Sequence, residues 1–275
     1  MKFKILNKIL ASNIAQKLPK MILRKIFKKF RIYFVPTKLS NIPDNNYKIG
    51  SNFIFQEQLI KQFNEHKPNK LISFNTCPHI YQIIKLLFKD PDLKFNFLDF
   101  GGENIDLYLY LKKNFKNINY FIFNQEHINT SYIELKSKYK LKDFTVLNNI
   151  DELSNYEYDF VNFGGVLQYI NDYDFIMKKI IKISKKYIFF SAIHFYEKEF
   201  SSLEKIVVKE TNLLHILPIN IYCYFFNFDI FIKSFLQNNF SIIFKENNVY
   251  GDVNYKNFDN SFNKTNYTDL LLAKK

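Results

Sequence analysis

Short apolar runs alternate with helix-like segments from about residue 95 onward, and this alternation constrains the fold more than any other feature of the sequence. The apolar runs are interpreted as strands at 95–100, 120–123, 144–147, 159–163 and 187–190. Helix-like segments at about 104–115, 130–140 and 172–186 follow the first, second and fourth of them. Strands that alternate with helices at this spacing are typical of a parallel, doubly wound α/β sheet. We therefore predict a Rossmann-like domain over residues 95–275.

The end of the chain departs from this simple alternation. Asp229 can cap a further helix, and residues 241–244 and 268–272 are interpreted as the last two strands. The longest charge-free run, 211–228, contains His215 and Pro218, so it is interpreted as a buried or capping segment and not as a membrane span.

Positive charge is concentrated at the N-terminus. Residues 1–35 contain ten lysines and arginines and no acidic residue, whereas the whole chain has a net charge of +13. We divide the chain into a basic amphipathic arm at 1–36, a helical lead-in at 37–94 and the α/β domain at 95–275. The basic character therefore belongs to the arm and not to the domain.

The arm has two main interpretations. Phe3, Leu6, Leu10, Ile14 and Leu18 recur at helical spacing with lysines between them, which suits a helix on an anionic membrane surface. The alternative is that this apolar stripe packs on the main domain and the lysines are solvated. Nucleic acid is not expected as a partner, because no binding motif accompanies the basic residues. We expect a cytoplasmic protein, peripheral at the inner face of the membrane if the first interpretation holds.

Several classes of site are excluded by residues that the sequence lacks. Two cysteines and five histidines without an H-E-x-x-H motif give no basis for a structural metal site. No G-x-x-x-x-G-K-[ST] motif is present, which argues against a P-loop nucleotide hydrolase. We therefore predict that no metal is bound.

Two glycine pairs give the most specific functional signal. Gly101-Gly102 follows the first predicted strand and Gly164-Gly165 follows the fourth. In a parallel sheet these strand ends would lie side by side at the switch point, where ligands bind. The alternative is that both pairs only make tight turns between strand and helix.

The first glycine loop argues against a dinucleotide. It lacks the G-x-G-x-x-G spacing, and Glu103 would place negative charge where a pyrophosphate should bind. A cofactor with a cationic centre and no phosphate tolerates that charge. S-adenosylmethionine, which carries a sulfonium, fits this requirement.

The motifs around these glycines resemble a known enzyme family. The stretch Phe97–Gly102 is similar to the first motif of class I S-adenosylmethionine-dependent methyltransferases, and Tyr158–Asp172 is similar to their fourth-strand motif. More narrowly, the D-F-G-G and G-V-L-Q-Y stretches resemble a bacterial family of methyltransferases associated with surface-polysaccharide biosynthesis. The resemblance covers about residues 70–275 and implies a mostly parallel sheet with an antiparallel last strand. It also implies a sugar or glycan precursor as the methyl acceptor.

The same resemblance assigns roles to particular residues. It implies that the methionine half of S-adenosylmethionine is held by the first loop, the ribose by the end of the second strand, the adenine by the end of the third, and that the fourth strand closes the cleft. The implied cofactor-binding residues are Asp99, Gly101, Gly102, Asn124 or Glu126 for the ribose, Asn149, Ile150, Phe163, Gly164 and Gly165. Gln168 and Tyr169 would lie near the mouth of the cleft, towards the substrate.

A hydroxyl acceptor usually needs a base, and two histidines are candidates. His194 follows the fifth predicted strand, and His215 lies in the segment that could cap the cleft. A histidine at such a place is more often a structural residue, and this is the alternative for both. Departures from the family pattern at Glu103, Ile105 and Asn124 leave open a non-catalytic protein that keeps the fold for binding or scaffolding. A nucleotide-sugar or dinucleotide enzyme is the third alternative.

Overall fold

The computed structural model describes residues 32–43, 57–64 apart from 58 and 62, 78–102, 105–196, 202–212, 219–247, 253–254 and 266–275. The basic arm lies outside these ranges except for its last residues, so its helical character and its membrane role stay predictions. Within the lead-in, residues 57, 59–61 and 63–64 are helical.

The described elements follow one another as strands and helices. In chain order they are β1 Ile32–Pro36, α1 Pro78–Leu87, β2 Phe95–Phe100, α2 Asp106–Asn114, β3 Ile118–Phe123, α3 Glu126–Tyr139, β4 Phe144–Leu147, β5 Tyr158–Gly164, α4 Tyr173–Ile183, β6 Ser184–Tyr196, β7 Lys205–Asn212, β8 Ile219–Asn227, α5 Phe228–Leu236, β9 Phe240–Asn247, β10 Val253–Asn254 and β11 Asn266–Lys274.

The centre of the sheet is parallel and doubly wound. Strands β4, β3, β2, β5 and β6 are neighbours in this order and pair in parallel. The last strand, β11, pairs antiparallel with both β6 and β9. This arrangement confirms the predicted Rossmann-like α/β fold, mostly parallel with an antiparallel last strand. The chain reverses direction across the sheet between β2 and β5, which makes their carboxyl ends the switch point.

The sheet extends further than the sequence predicted. Strands β7 and β8 form an antiparallel pair, and β8 joins the tip of β6 in parallel. Of the run 211–228, interpreted as a buried or capping segment, residues 219–227 form strand β8, whose residues 221 and 223–226 are buried, so the alternative of burial is confirmed for them and the capping alternative is wrong. Residues 32–36, placed at the end of the helical arm by the sequence, form strand β1 against β7.

Two hydrophobic clusters cover the two faces of the sheet. Successive residues of β2 alternate between them, with Phe97 in one and Leu98 in the other. Helices α1 and α2 contribute to the cluster of Phe97, whereas α4 and α5 contribute to the cluster of Leu98. Both faces of the sheet are therefore packed, and the polar chemistry collects at the ends of the strands.

No helix in the described part of the chain is both long and apolar enough to cross a membrane.

Candidate functional site

The two glycine turns lie at the ends of neighbouring strands. Phe100 at the end of β2 is in register with Phe163 near the end of β5. Gly101 and Gly165 follow with φ angles of +78° and +74°, which is the left-handed region that favours glycine. The sequence prediction that the two pairs would meet at one edge is therefore confirmed by the register of the strands.

The two glycine pairs have different surroundings, and these give different reasons for the absence of a side chain. A Cβ atom at Gly102 would lie 2.1 Å from Asp99 Oδ2, and one at Gly101 would lie 2.6 Å from a methyl group of Val166. Internal packing therefore already accounts for the first pair, and the side chain of Val166 occupies the space beside Gly101. Among the described residues, a Cβ at Gly164 would meet only Asn162 Nδ2, at 3.6 Å. Gly164 is exposed, so the open space at this edge lies in front of β5.

Asp99 presents a buried carboxyl group beside these turns. Its Oδ2 accepts a hydrogen bond of 2.6 Å from the Tyr120 hydroxyl, and its Oδ1 accepts one of 2.7 Å from Asn162 Nδ2. Burial raises the pKa of Asp99 from 3.8 to about 6, although both hydrogen bonds oppose this shift. At neutral pH the group is thus mainly ionised, in a place where ionisation is costly.

Two buried acceptor atoms near the switch point have no partner in the part of the chain that the structure describes. Asn162 donates to Asp99 through Nδ2, but its Oδ1 is unpaired. Gln168 donates from Nε2 to the Ala192 carbonyl at 3.1 Å, but its Oε1 is also unpaired. Buried polar atoms normally have partners, so these two point to a donor that the described residues do not supply.

The side-chain amide of Asn124, which follows β3, is already hydrogen-bonded within the chain. Asn124 donates from Nδ2 to the Gly102 carbonyl at 2.7 Å and accepts from the Gln125 amide at 2.8 Å. The Tyr132 hydroxyl donates to the same carbonyl at 3.0 Å. Asn124 therefore stabilises the glycine loop through its hydrogen bond to Gly102. Glu126, at the start of α3, is exposed.

The end of β4 is also occupied by local contacts. Asn149 Oδ1 accepts from the amides of Asp151 and Glu152, and its Nδ2 donates to Glu152 Oε1 at 2.9 Å. Ile150 is half-buried and packs against the core. The side chain of Asn149 is therefore occupied by hydrogen bonds within the turn, whereas the side chain of Ile150 is not.

Phe163 faces away from the open space. It is buried in the same cluster as Leu98 and stacks on Phe190 with ring centroids 5.1 Å apart. By packing in this cluster, Phe163 supports the turn at Gly164 and Gly165.

Tyr169, which the sequence predicts near the mouth of the cleft, is bound to a buried acid. The Tyr169 hydroxyl donates to Glu210 Oε2 at 2.7 Å, and Glu210 is buried on β7. Burial and the neighbouring carboxylate raise the pKa of Tyr169 well above its ordinary value. Tyr169 thus links the glycine turn of β5 to the strand pair that extends the sheet.

The structure describes one of the two candidate bases, His194. His194 lies within β6, not after it, and it is only 1% exposed. Its ring stacks on Phe225 at 4.3 Å and lies 4.4 Å from the ring of Tyr267, and burial holds its pKa well below the ordinary value. His215 lies outside the described residues, as does Glu103.

Sequence reasoning missed a second polar cluster at this edge. His79 at the start of α1 is bonded to Asp269 on β11, and Asp269 contacts Ser191 and Ala192 of β6. The one signal in the sequence was an acidic residue inside the apolar run 268–272. Among the described residues, no group of three or more histidines, cysteines or carboxylates is placed to hold a metal ion.

Known proteins resemble this chain in structure but not in sequence. No family model and no curated protein matches it. The N-terminal domain of EvdMO1, solved in the presence of SAH and D-fucose, is 10% identical, with a TM-score of 0.50 over 82% of this chain and 99% of that domain. The same domain with SAH bound is 9% identical, with the same TM-score and coverage.

A third neighbour has a weaker fit. An S-adenosylmethionine-dependent methyltransferase from Clostridium acetobutylicum ATCC 824 is 12% identical, with a TM-score of 0.44 over 81% of this chain and 97% of that one. At such identities a likeness establishes the fold alone. The fold that this chain shares with the N-terminal domain of EvdMO1 is the Rossmann-like α/β architecture described above.

Proposed function

We propose that this protein is an S-adenosylmethionine-dependent methyltransferase whose cofactor binds at the carboxyl ends of β2 and β5. One observation carries the proposal. Two left-handed glycine turns end adjacent parallel strands, and the space in front of Gly164 is open while an unpaired oxygen of Asn162 lies beside it. Such a switch point is where parallel α/β sheets bind their ligands.

The polar atoms at this edge suit a cation. The Asp99 carboxylate and the unpaired oxygens of Asn162 and Gln168 are all acceptors. S-adenosylmethionine carries an ammonium and a sulfonium, and it has no phosphate. A pyrophosphate would instead need donors here, as in dinucleotide-binding loops.

The geometry supports the following assignment of individual contacts. Gly101, Gly102 and Asp99 would hold the methionine half, with Gly164 and Gly165 opposite. Because both polar atoms of Asn124 are bonded within the chain, we assign the ribose hydroxyls to Glu126, which can accept two hydrogen bonds from a diol. Ile150 would flank the adenine.

The chemistry needs little from the protein beyond alignment. The cofactor supplies a methyl group already activated by the positive sulfur. The described residues would fix the cofactor, exclude water and leave the acceptor to approach from the side of Gln168 and Tyr169.

We further propose that the acceptor is a sugar or glycan precursor used in surface-polysaccharide biosynthesis. The sequence motifs support this substrate class, and a buried carboxylate next to aromatic rings at the mouth is compatible with a polyhydroxylated molecule. The basic arm at 1–35 would bring the enzyme to an anionic membrane surface at the inner face of the membrane.

Calorimetry tests the cofactor assignment. We expect the purified protein to bind S-adenosylmethionine and SAH and not NAD. Asn162→Ala should weaken SAH binding by about tenfold, the effect of losing one hydrogen bond to a charged group.

A matched control is available at the other end of the sheet. Asn119 on β3 also donates from a side-chain amide, to Asn96 Oδ1 at 2.9 Å, but far from the glycine turns. Asn119→Ala should therefore bind SAH as the wild type does. Tight NAD binding, or no binding of either cofactor form, would contradict the proposal. Binding without turnover on any acceptor would favour the non-catalytic alternative.

A further inference from the structure

We infer that His79, held by Asp269, is the base that accepts the proton of the methyl acceptor, an inference that rests on the proposed function. His79 Nδ1 lies 2.6 Å from Asp269 Oδ2. The Asp269 side chain is fully buried, whereas the His79 side chain is 21% exposed. A partly exposed histidine whose other nitrogen binds a buried carboxylate has the arrangement that general bases use.

The carboxylate is fixed by further donors. Asp269 Oδ1 accepts from the Ala192 amide at 2.8 Å and from the Ser191 hydroxyl at 3.2 Å. With His79 on Oδ2, both oxygens are engaged, so the carboxylate cannot rotate without losing hydrogen bonds. A buried charge that is held in this way can orient an imidazole ring and stabilise its protonated form.

Backbone strain occurs at the same place. Ala192 has a φ of +54°, which is uncommon for a residue with a side chain. The pairing of β11 with β6 shifts register between Thr268 and Leu270, beside Asp269. The unusual backbone turns the Ala192 amide towards Asp269 and its carbonyl towards Gln168. Strain of this kind persists where the surrounding structure enforces it, and it is frequent at functional sites.

The cluster borders the proposed cofactor site. A Cβ atom at Gly165 would lie 3.6 Å from the Ser191 carbonyl oxygen and 3.7 Å from Ala192 Cβ. The residues that hold Asp269 are thus in direct contact range of the second glycine turn. His194 is less suitable as the base, because it is buried between two aromatic rings.

The proton balance of the step is simple. Asp269 accepts the hydrogen on Nδ1, so neutral His79 keeps a lone pair on Nε2. The acceptor O–H gives its proton to Nε2 while its oxygen bonds to the methyl carbon. The carbon–sulfur bond breaks and its electron pair stays on sulfur, leaving SAH. The imidazolium, stabilised by Asp269, then releases the proton to water.

Other charged groups face His79 from the elements packed against it. Glu246 on β9 is the register partner of Asp269, and the ring of Phe244 contacts His79 edge-on at 5.4 Å. Asp99 lies near the carboxyl end of β2, at the same end of the sheet. A pH experiment must therefore separate His79 from Asp99, whose pKa burial raises to about 6.

The test compares S-adenosylmethionine with SAH, which differ by the charge on sulfur. Protonated His79 near that sulfur would weaken binding of the sulfonium form only. By calorimetry, the ratio of the Kd of S-adenosylmethionine to the Kd of SAH should rise by about three- to tenfold from pH 8 to pH 5.5 in the wild type. The rise should be smaller in His79→Gln, where Asp99 is intact and loses its charge at the lower pH, and it should match the wild type in the control Lys85→Gln, at the exposed end of α1.

A second variant tests whether Asp269 orients the His79 ring, with a readout that does not depend on cofactor binding. Asp269→Asn keeps the shape of the side chain, and nitrogen-15 NMR of the His79 ring should show the hydrogen on Nδ1 in the wild type and a loss of that preference in the variant. An equal pH response in wild type and His79→Gln, or a ring with its hydrogen on Nε2, would overturn the inference and leave the cofactor assignment standing. A protein that binds neither cofactor form would overturn both.

Discussion

Replacing Gly164 by valine should leave the fold intact and weaken SAH binding by at least about 50-fold, a loss of more than about 2 kcal/mol. A Cβ at this position meets no atom of the described residues closer than 3.6 Å, so a side chain adds no clash with them. It would project into the open space that we assign to the cofactor. Calorimetry with SAH, together with thermal unfolding, measures the two effects separately.

Gly164→Ala and Gly102→Ala serve as controls for this prediction. The alanine at 164 should have a smaller effect on SAH binding than valine. The alanine at 102 should reduce stability, because its Cβ would overlap the Asp99 carboxylate. If Gly164→Val binds SAH as tightly as the wild type, no ligand approaches β5 at this point, and the glycine pair only makes a turn.

Replacing Asp99 by asparagine should stabilise the protein at neutral pH while weakening the cofactor complex. The pKa of Asp99 is raised by burial from 3.8 to about 6. Between these pH values the folded state holds a proton that the unfolded state has lost, so stability falls as pH rises through this window. Above pH 6 the cost reaches about 3 kcal/mol, at about 1.4 kcal/mol for each pH unit.

The variant does not carry this cost, although it must rebuild its hydrogen bonds to Tyr120 and Asn162. We expect a net gain of about 1–2 kcal/mol at pH 8 and none at pH 4, measured by urea unfolding. Binding of S-adenosylmethionine should fall by at least about tenfold. Asp92→Asn, at an exposed site, should show neither effect. A stability difference that does not change with pH would show that Asp99 is not ionised at a cost.

The sequence predicted the central strands well because their patterns are local. Strands 95–100 and 144–147 have the predicted bounds, and the glycines after β2 and β5 showed where those strands end. The strand β8 was missed because it is buried on both faces, so Cys223, Tyr224 and Phe225 show no alternation of polar and apolar residues. A charge-free run of this kind does not distinguish a strand from a buried loop.

The site was harder to predict because it depends on contacts between distant residues. His79 and Asp269 are 190 positions apart, and no spacing in the sequence connects them. Asn124 could have faced a ligand, yet in the fold it binds the Gly102 carbonyl. Likewise, the sequence could not show that Val166 packs against Gly101 while the space at Gly164 stays open.

A crystal structure of the protein grown with SAH tests the central claim most directly. We predict density for SAH across the carboxyl ends of β2 and β5, in van der Waals contact with Gly164 and with its amino group near Asp99 and Asn162. Density for SAH at any other place, or a side chain of the protein itself filling the space at Gly164, would contradict the account.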